Sequence, residues 1–225
     1  MNNETGALCL VGGAEWTNGC TFDASLWEAS GKPEVLVLPT AAAYEHPARA
    51  VETAKRWFSS FGADTSGLMI LARPDAFDSD LVARLASSRF TYIGGGSPIH
   101  LRSVLKDTPA WSALVASWRN GAVLAGSSAG AMVLGDSMVD PRGGALTLGL
   151  GLLERLAVLP HYDTWSQEKA RRSVSLATGH LRIAAIDERT ALIRDPDGSW
   201  RSDGAGAVAI YVDGRAVGLE ALNEN

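Results

Sequence analysis

Cysteine is scarce in this 225-residue chain, with only Cys9 and Cys20 present. Two thiols cannot make a disulfide framework, and their spacing matches no metal-ligand pattern. Cys9 sits inside an apolar run and reads as a buried thiol in a reducing compartment. Long hydrophobic runs are missing too: none approaches the roughly 20 residues that a membrane-crossing helix needs. The opening stretch MNNETGALCLVGG has neither the basic start nor the extended apolar centre of a secretory signal. Positive charge is also short, since 20 Lys and Arg stand against 25 Asp and Glu for a formal net charge of −5. The nearest thing to a basic cluster, Lys169-Ala-Arg-Arg172, reads as one face of a helix, so no nucleic-acid surface is expected. A Gly-Lys-Ser/Thr phosphate loop is absent, as is a G-x-G-x-x-G motif with its partner acid. Neither an internal repeat nor a low-complexity tract interrupts the chain. These absences leave the expectation of a cytoplasmic protein without membrane or nucleic-acid partners. With 46% hydrophobic and 20% charged residues, residues 1–225 read as one globular domain that needs no metal or disulfide to hold together.

What the sequence does contain is alternation. Apolar runs at 7–13, 34–42, 67–73, 89–96 and 121–130 predict strands. Between them lie helical patterns, such as Val51, Ala54, Phe58 and Phe61, then Trp111, Leu114, Val115 and Trp118. Ser79 is a candidate cap for a helix over 79–88. Strands this continuously apolar, separated by helices, predict an α/β fold: a mostly parallel sheet covered on both faces, in a three-layer α/β/α sandwich. The Asp-Gly turns of the last third predict a C-terminal extension of antiparallel hairpins. Four loops of small residues, VGGAEW, PTAAAY, IGGGSP and GSSAG, fall at strand C-terminal ends, the edge where open α/β sheets bind ligands.

Gly126-Ser127-Ser128-Ala129-Gly130 fits G-x-S-x-G, a strand-to-helix turn that lifts one hydroxyl above the sheet edge. The register gives that hydroxyl to Ser128, with Ala129 N–H as an oxyanion donor, and leaves Ser127 as the variable position facing the pocket. A serine nucleophile needs a base. Of the four histidines, His161 follows an apolar run and leads, and His180 is second. His46 and His100 read as helix residues. The acid that would orient the base is left open among Asp136, Asp140, Asp187 and Glu188. Consecutive N–H groups at Gly94, Gly95 and Gly96 are candidates to complete an oxyanion hole.

Taken in order, LVGGAEW, YIGGGSPIHLRSVL, LAGSSAGAM, LPHY, AAIDERTALI and GAGAVAIY resemble the dipeptidase E/cyanophycinase family of serine peptidases over nearly the whole chain. The resemblance implies a class I glutamine amidotransferase-like sandwich. It also implies Ser128 as nucleophile, His161 as base, Gly95 and Ala129 as oxyanion donors, a small peptide or amide substrate, no metal or organic cofactor, and a homodimer. Its cyanophycinase branch implies Glu188 as the acid and its dipeptidase branch Asp140; Glu188 is the choice here because its surroundings match better. The chain departs from the family pattern at Gly96 and Ser97, and again at Trp165 and Gln167, where cyanophycinases carry arginines. Gly96, Ser97 and Trp165 are therefore the residues expected to set substrate binding, with Arg171 or Arg172 as replacement cations. An esterase or amidase, or an idle small-molecule binder on the same scaffold, are the competing expectations.

Overall fold

The computed structural model describes residues 5–140, 145–175, 179 and 181–223. Its main sheet contains β1 (Leu8–Val11), β2 (Val35–Leu38), β3 (Thr65–Gly67), β4 (Phe90–Ile93) and β5 (Val123–Ser127), all parallel, in the order β1-β5-β4-β2-β3. Residues alternate between the two faces of each strand. Cys9, Val11, Val35, Val37, Val123 and Ala125 join one core with Phe22 and Leu26 of α1 (Phe22–Ala29) and Val51, Ala54 and Phe58 of α2 (Pro47–Ser59). Leu8, Leu10, Leu36, Leu38 and Leu124 face the opposite core. There they meet α3 (Ser79–Ser87), α4 (Pro98–Leu105), α5 (Pro109–Arg119) and the short α6 (Ala129–Met132). Burying a side chain such as Phe58 or Leu114 contributes about 2–3 kcal/mol, which is why the helical stripes legible in sequence become the faces that pack.

The run at 67–73 is not a strand. β3 ends at Gly67; Leu68 N–H still reaches Val37 O at 2.8 Å, but Ile70 N–H turns back to Leu68 O. Leu68 and Ile70 are buried while Met69 is exposed. The apolar pattern there reports burial rather than ladder pairing. The cap of α3 is likewise one residue earlier than expected: Asp78 Oδ1 accepts from Asp80 N–H at 2.9 Å and Leu81 N–H at 3.1 Å.

The antiparallel hairpins of the last third divide between two sheets. β6 (Ser137–Val139) and β7 (Leu146–Leu148) pair as a small ribbon, and β8 (Leu156–Leu159) runs parallel to β9 (Arg182–Ile186). Then β10 (Thr190–Arg194) and β11 (Trp200–Gly204) extend the main sheet beyond β1, giving it seven strands. By contrast, β12 (Val208–Val212) and β13 (Arg215–Val217) join β9 and β8 in a separate four-stranded sheet. Asp213 and Gly214, at φ 47° and 74°, make the two-residue left-handed turn that suits the twist of the last hairpin. β8 and β9 end on the same edge, so the residues following both strands are delivered together. Among the described residues, no helix is long and apolar enough to cross a membrane.

Candidate active site

Ser128 stands between β5 and α6 with φ 49° and ψ −108°, a strained conformation that costs on the order of 1–3 kcal/mol. The turn closes only because its flanks lack side chains. A Cβ on Gly126 would lie 2.6 Å from Gly130 C, and one on Gly130 would lie 2.4 Å from Ile93 O. Ser128 N–H is pinned to Val11 O at 2.9 Å, which ties the elbow to the end of β1.

His161 follows β8 in a left-handed conformation, φ 54°. Its Nε2 lies 2.9 Å from Ser128 Oγ, and its Nδ1 lies 2.8 Å from Glu188 Oε1, just past β9. Both ring nitrogens are thereby engaged. The His161 and Glu188 side chains are 36% and 30% exposed, enough to be reached from solvent while keeping their geometry under protein control. The loop after β1 anchors both from below: His161 N–H donates to Gly12 O at 2.7 Å and Arg189 N–H to Gly13 O at 2.8 Å. A Cβ on Gly13 would stand 2.1 Å from His161 Cε1, so VGG is the space into which the imidazole fits. Asp163 Oδ1 accepts the Glu188 N–H at 3.0 Å and fixes the carboxylate-bearing turn.

Of the other candidates, Asp140 lines the same cavity as Ser128 and His161, and the rest are placed elsewhere. Asp136 Oδ2 accepts from Arg155 N–H at 2.7 Å and Asp187 Oδ2 from Ala207 N–H at 2.9 Å, so both serve loop structure. His46 precedes α2 at its N-cap position in a left-handed conformation, with no capping hydrogen bond from its side chain, and His100 in α4 meets Leu71 O through Nε2. His180 lies outside the described residues. Ser127 does not face the pocket as expected: it is fully buried, and its hydroxyl donates to Glu15 Oε2 at 2.8 Å. Gly95 N–H, read as an oxyanion donor, goes to Glu15 Oε1 at 3.0 Å. Among the described residues, the N–H groups of Gly96 and Ala129 have no acceptor.

Ser128 and His161 open into a cavity of about 620 Å³ that is also lined by Gly96, Asp140, Trp165, Lys169 and Arg172. Lys169 Nζ sits 3.8 Å from the centre of the Trp165 ring, a cation–π contact. Arg172 reaches the cavity wall and Arg171 does not, because Lys169, Arg172 and Ser173 share one face of α7 (Gln167–Ser175). Ser97, expected to face substrate, is not part of this wall; its Oγ caps α4 by accepting His100 N–H at 3.3 Å. Sequence reasoning had passed over Glu15 and Asp163. The available signal for Glu15 was an acidic side chain inside a strand-end glycine loop; for Asp163 there was only proximity to His161.

A polar group lies buried behind the β1 loop. Asp23 is fully buried in α1, with Oδ2 accepting Trp57 Nε1–H at 2.9 Å. Burial pushes its carboxyl up to about 8; the Trp57 hydrogen bond opposes the rise and the Glu15 charge adds to it. Burial also raises the nearby thiols of Cys9 and Cys20, both free, and the Tyr92 phenol. These thiols are protonated and inert at neutral pH.

Residues 8–199 match the family model of peptidase family S51. The chain is 32% identical over 163 residues to the cyanophycinase of Synechococcus elongatus, covering 67% of this chain and 49% of that one. It thus spans about half the length of that relative. With the cyanophycinase of Nostoc sp. strain PCC 7120 it shares 28% identity over 219 residues, 91% of this chain and 72% of that one. A crystal structure of a peptidase from an acI-B1 actinobacterium superposes with a TM-score of 0.83 at 30% identity, covering 93% of this chain and 91% of the other.

Proposed function

The chain belongs to peptidase family S51, and from that premise we propose that it is a serine peptidase acting on short peptides through Ser128, His161 and Glu188. The observation that carries the reading is the continuous hydrogen-bonded line from Ser128 Oγ through the His161 ring to Glu188, at the wall of an open cavity. A serine hydroxyl barely ionises at neutral pH, so attack on a carbonyl requires a base already in contact. His161 Nε2 takes the hydroxyl proton as Oγ bonds to the carbonyl carbon, then delivers it to the leaving amine. Water, deprotonated by the same nitrogen, hydrolyses the acyl-enzyme. Glu188 holds the Nδ1–H, which sets the tautomer and stabilises the imidazolium.

Ala129 N–H is the first oxyanion donor. Gly96 N–H, which belongs to the cavity wall and has no acceptor among the described residues, is a better second donor than Gly95 N–H, which Glu15 occupies. The cavity volume lies within the range of small-ligand sites, about 300–1,000 Å³, and suits a short peptide. Lys169 and Arg172 supply two cations on its α7 side for a substrate carboxylate.

The test is labelling with a fluorophosphonate, followed by turnover on a panel of dipeptides and activated esters. The wild-type chain should take up one label at Ser128, and Ser128→Ala should lose labelling and turnover by at least about 10³-fold while keeping its melting temperature. Full turnover in Ser128→Ala would overturn the assignment; turnover of esters alone would favour the esterase reading.

A further inference from the structure

We infer that Glu15 is a positioning residue for the reaction: its carboxylate clamps the glycine loop at 94–96 to the nucleophile elbow. The inference rests on the assignment of Ser128 as nucleophile. One carboxylate oxygen takes the Gly95 N–H at 3.0 Å and the other takes the Ser127 hydroxyl at 2.8 Å. A single side chain thus bridges the loops on either side of Ser128, through two charge-assisted hydrogen bonds. The approach is close. A methyl group added at Gly95 would lie 3.2 Å from Glu15 Oε1 and 3.5 Å from Ser128 Cβ, so carboxylate and nucleophile flank the same glycine.

The chain accepts strain to put Glu15 there. Gly13, Ala14 and Trp16 all have positive φ, at 122°, 49° and 60°. For the two non-glycine residues this conformation persists only where surrounding contacts over-determine it. Those contacts are present: Thr17 Oγ1–H and Arg189 N–H donate to Ala14 O and Gly13 O, and the Trp16 ring packs 5.2 Å from that of Tyr92. The same loop carries His161 and Glu188 through Gly12 and Gly13. Glu15 therefore extends one rigid loop from the base side of the site to the oxyanion side. With Gly95 N–H tied down, the next peptide of the glycine loop keeps a fixed position over Ser128.

Fluorophosphonate inactivation tests this without knowledge of the natural substrate. Ser128 Oγ bonds to phosphorus, fluoride leaves, the hydroxyl proton passes through His161 to water, and the phosphoryl oxygen occupies the oxyanion site. Glu15→Ala should lower the maximal inactivation rate about 10- to 100-fold, the scale of a misplaced donor. Its half-saturating reagent concentration should stay within about threefold, and labelling should still reach one per chain. Glu15→Gln keeps an acceptor for Gly95 N–H and offers a donor to Ser127 Oγ, which as a hydroxyl can accept. It should recover the rate to within about threefold of wild type. A maximal rate within threefold of wild type in Glu15→Ala would overturn the inference. So would a loss confined to half-saturation or to the labelled fraction, or a Glu15→Gln variant as slow as Glu15→Ala. No labelling of the wild-type chain at Ser128 would remove the nucleophile assignment and this inference with it. Labelling that is lost in Ser128→Ala but unaffected in Glu15→Ala removes only the latter.

Discussion

Asp23→Asn isolates the buried carboxyl beneath the β1 loop. The substitution keeps the side-chain volume and an acceptor for Trp57 Nε1–H and removes the ability to ionise. The amide NH2 takes the place of Oδ1, which is buried without a partner among the described residues, and adds an offset that does not vary with pH. In the folded chain the Asp23 carboxyl titrates near 8 because burial disfavours its charge; in the unfolded chain it titrates near the ordinary value of about 3.9. Between those limits the native state holds a proton that the unfolded state has released. The stability this confers is complete below about pH 4 and is lost as pH rises through 8. The slope from one such group approaches about 1.4 kcal/mol per pH unit. Wild type should therefore lose about 2–3 kcal/mol between pH 5.5 and 7.5 that Asp23→Asn does not lose. For a chain of this length that moves the gap in melting temperature by about 5–10 °C in the variant's favour at the higher pH. Urea denaturation of both proteins across this range reads the effect directly, and titrations common to the two cancel in the difference. A gap that stays constant with pH would show that Asp23 is ionised in the native state and would refute the reasoning.

Gly13→Ala should cut labelling and turnover by more than about 100-fold, because the added methyl would overlap His161 Cε1 at 2.1 Å on a backbone at φ 122°. Steady-state assay with a thermal melt checks it. Glu188→Gln should lower kcat by about 10²- to 10⁴-fold with the fold intact, whereas Asp140→Asn should change it less than about tenfold; equal losses in the two would reopen the identity of the acid. Arg172→Ala should raise KM for peptides with a free carboxylate at least about fivefold and leave neutral esters unchanged, as measured by substrate profiling.

Most of the parallel sheet was legible because its determinants are local. Alternating core faces and stop signals act within a few residues, and they located β1, β2, β4 and β5, with α2 and α5 between them. The run at 67–73 misled because Leu68 and Ile70 are buried without pairing in a ladder. The division of the hairpins between two sheets had no local sign, since a strand's own pattern does not name its neighbour. Dipeptidase E/cyanophycinase kinship was readable from the order of several soft motifs, and the match to peptidase family S51 bears it out.

By itself, the sequence determined that Ser128 would sit in a turn tolerating no flanking bulk, and that residues following apolar runs would share one edge of the fold. Those are steric and hydrophobic requirements that a short segment carries with it. Only the tertiary structure decided what meets Ser128 there. His161 lies 33 residues away in the chain from Ser128 and 27 from Glu188, and Glu15 reaches across 80 and 112 residues to Gly95 and Ser127. Contacts over such separations are set by how the sheets and loops pack. The β1 loop, with its positive φ at Gly13, Ala14 and Trp16, is where those long-range contacts meet.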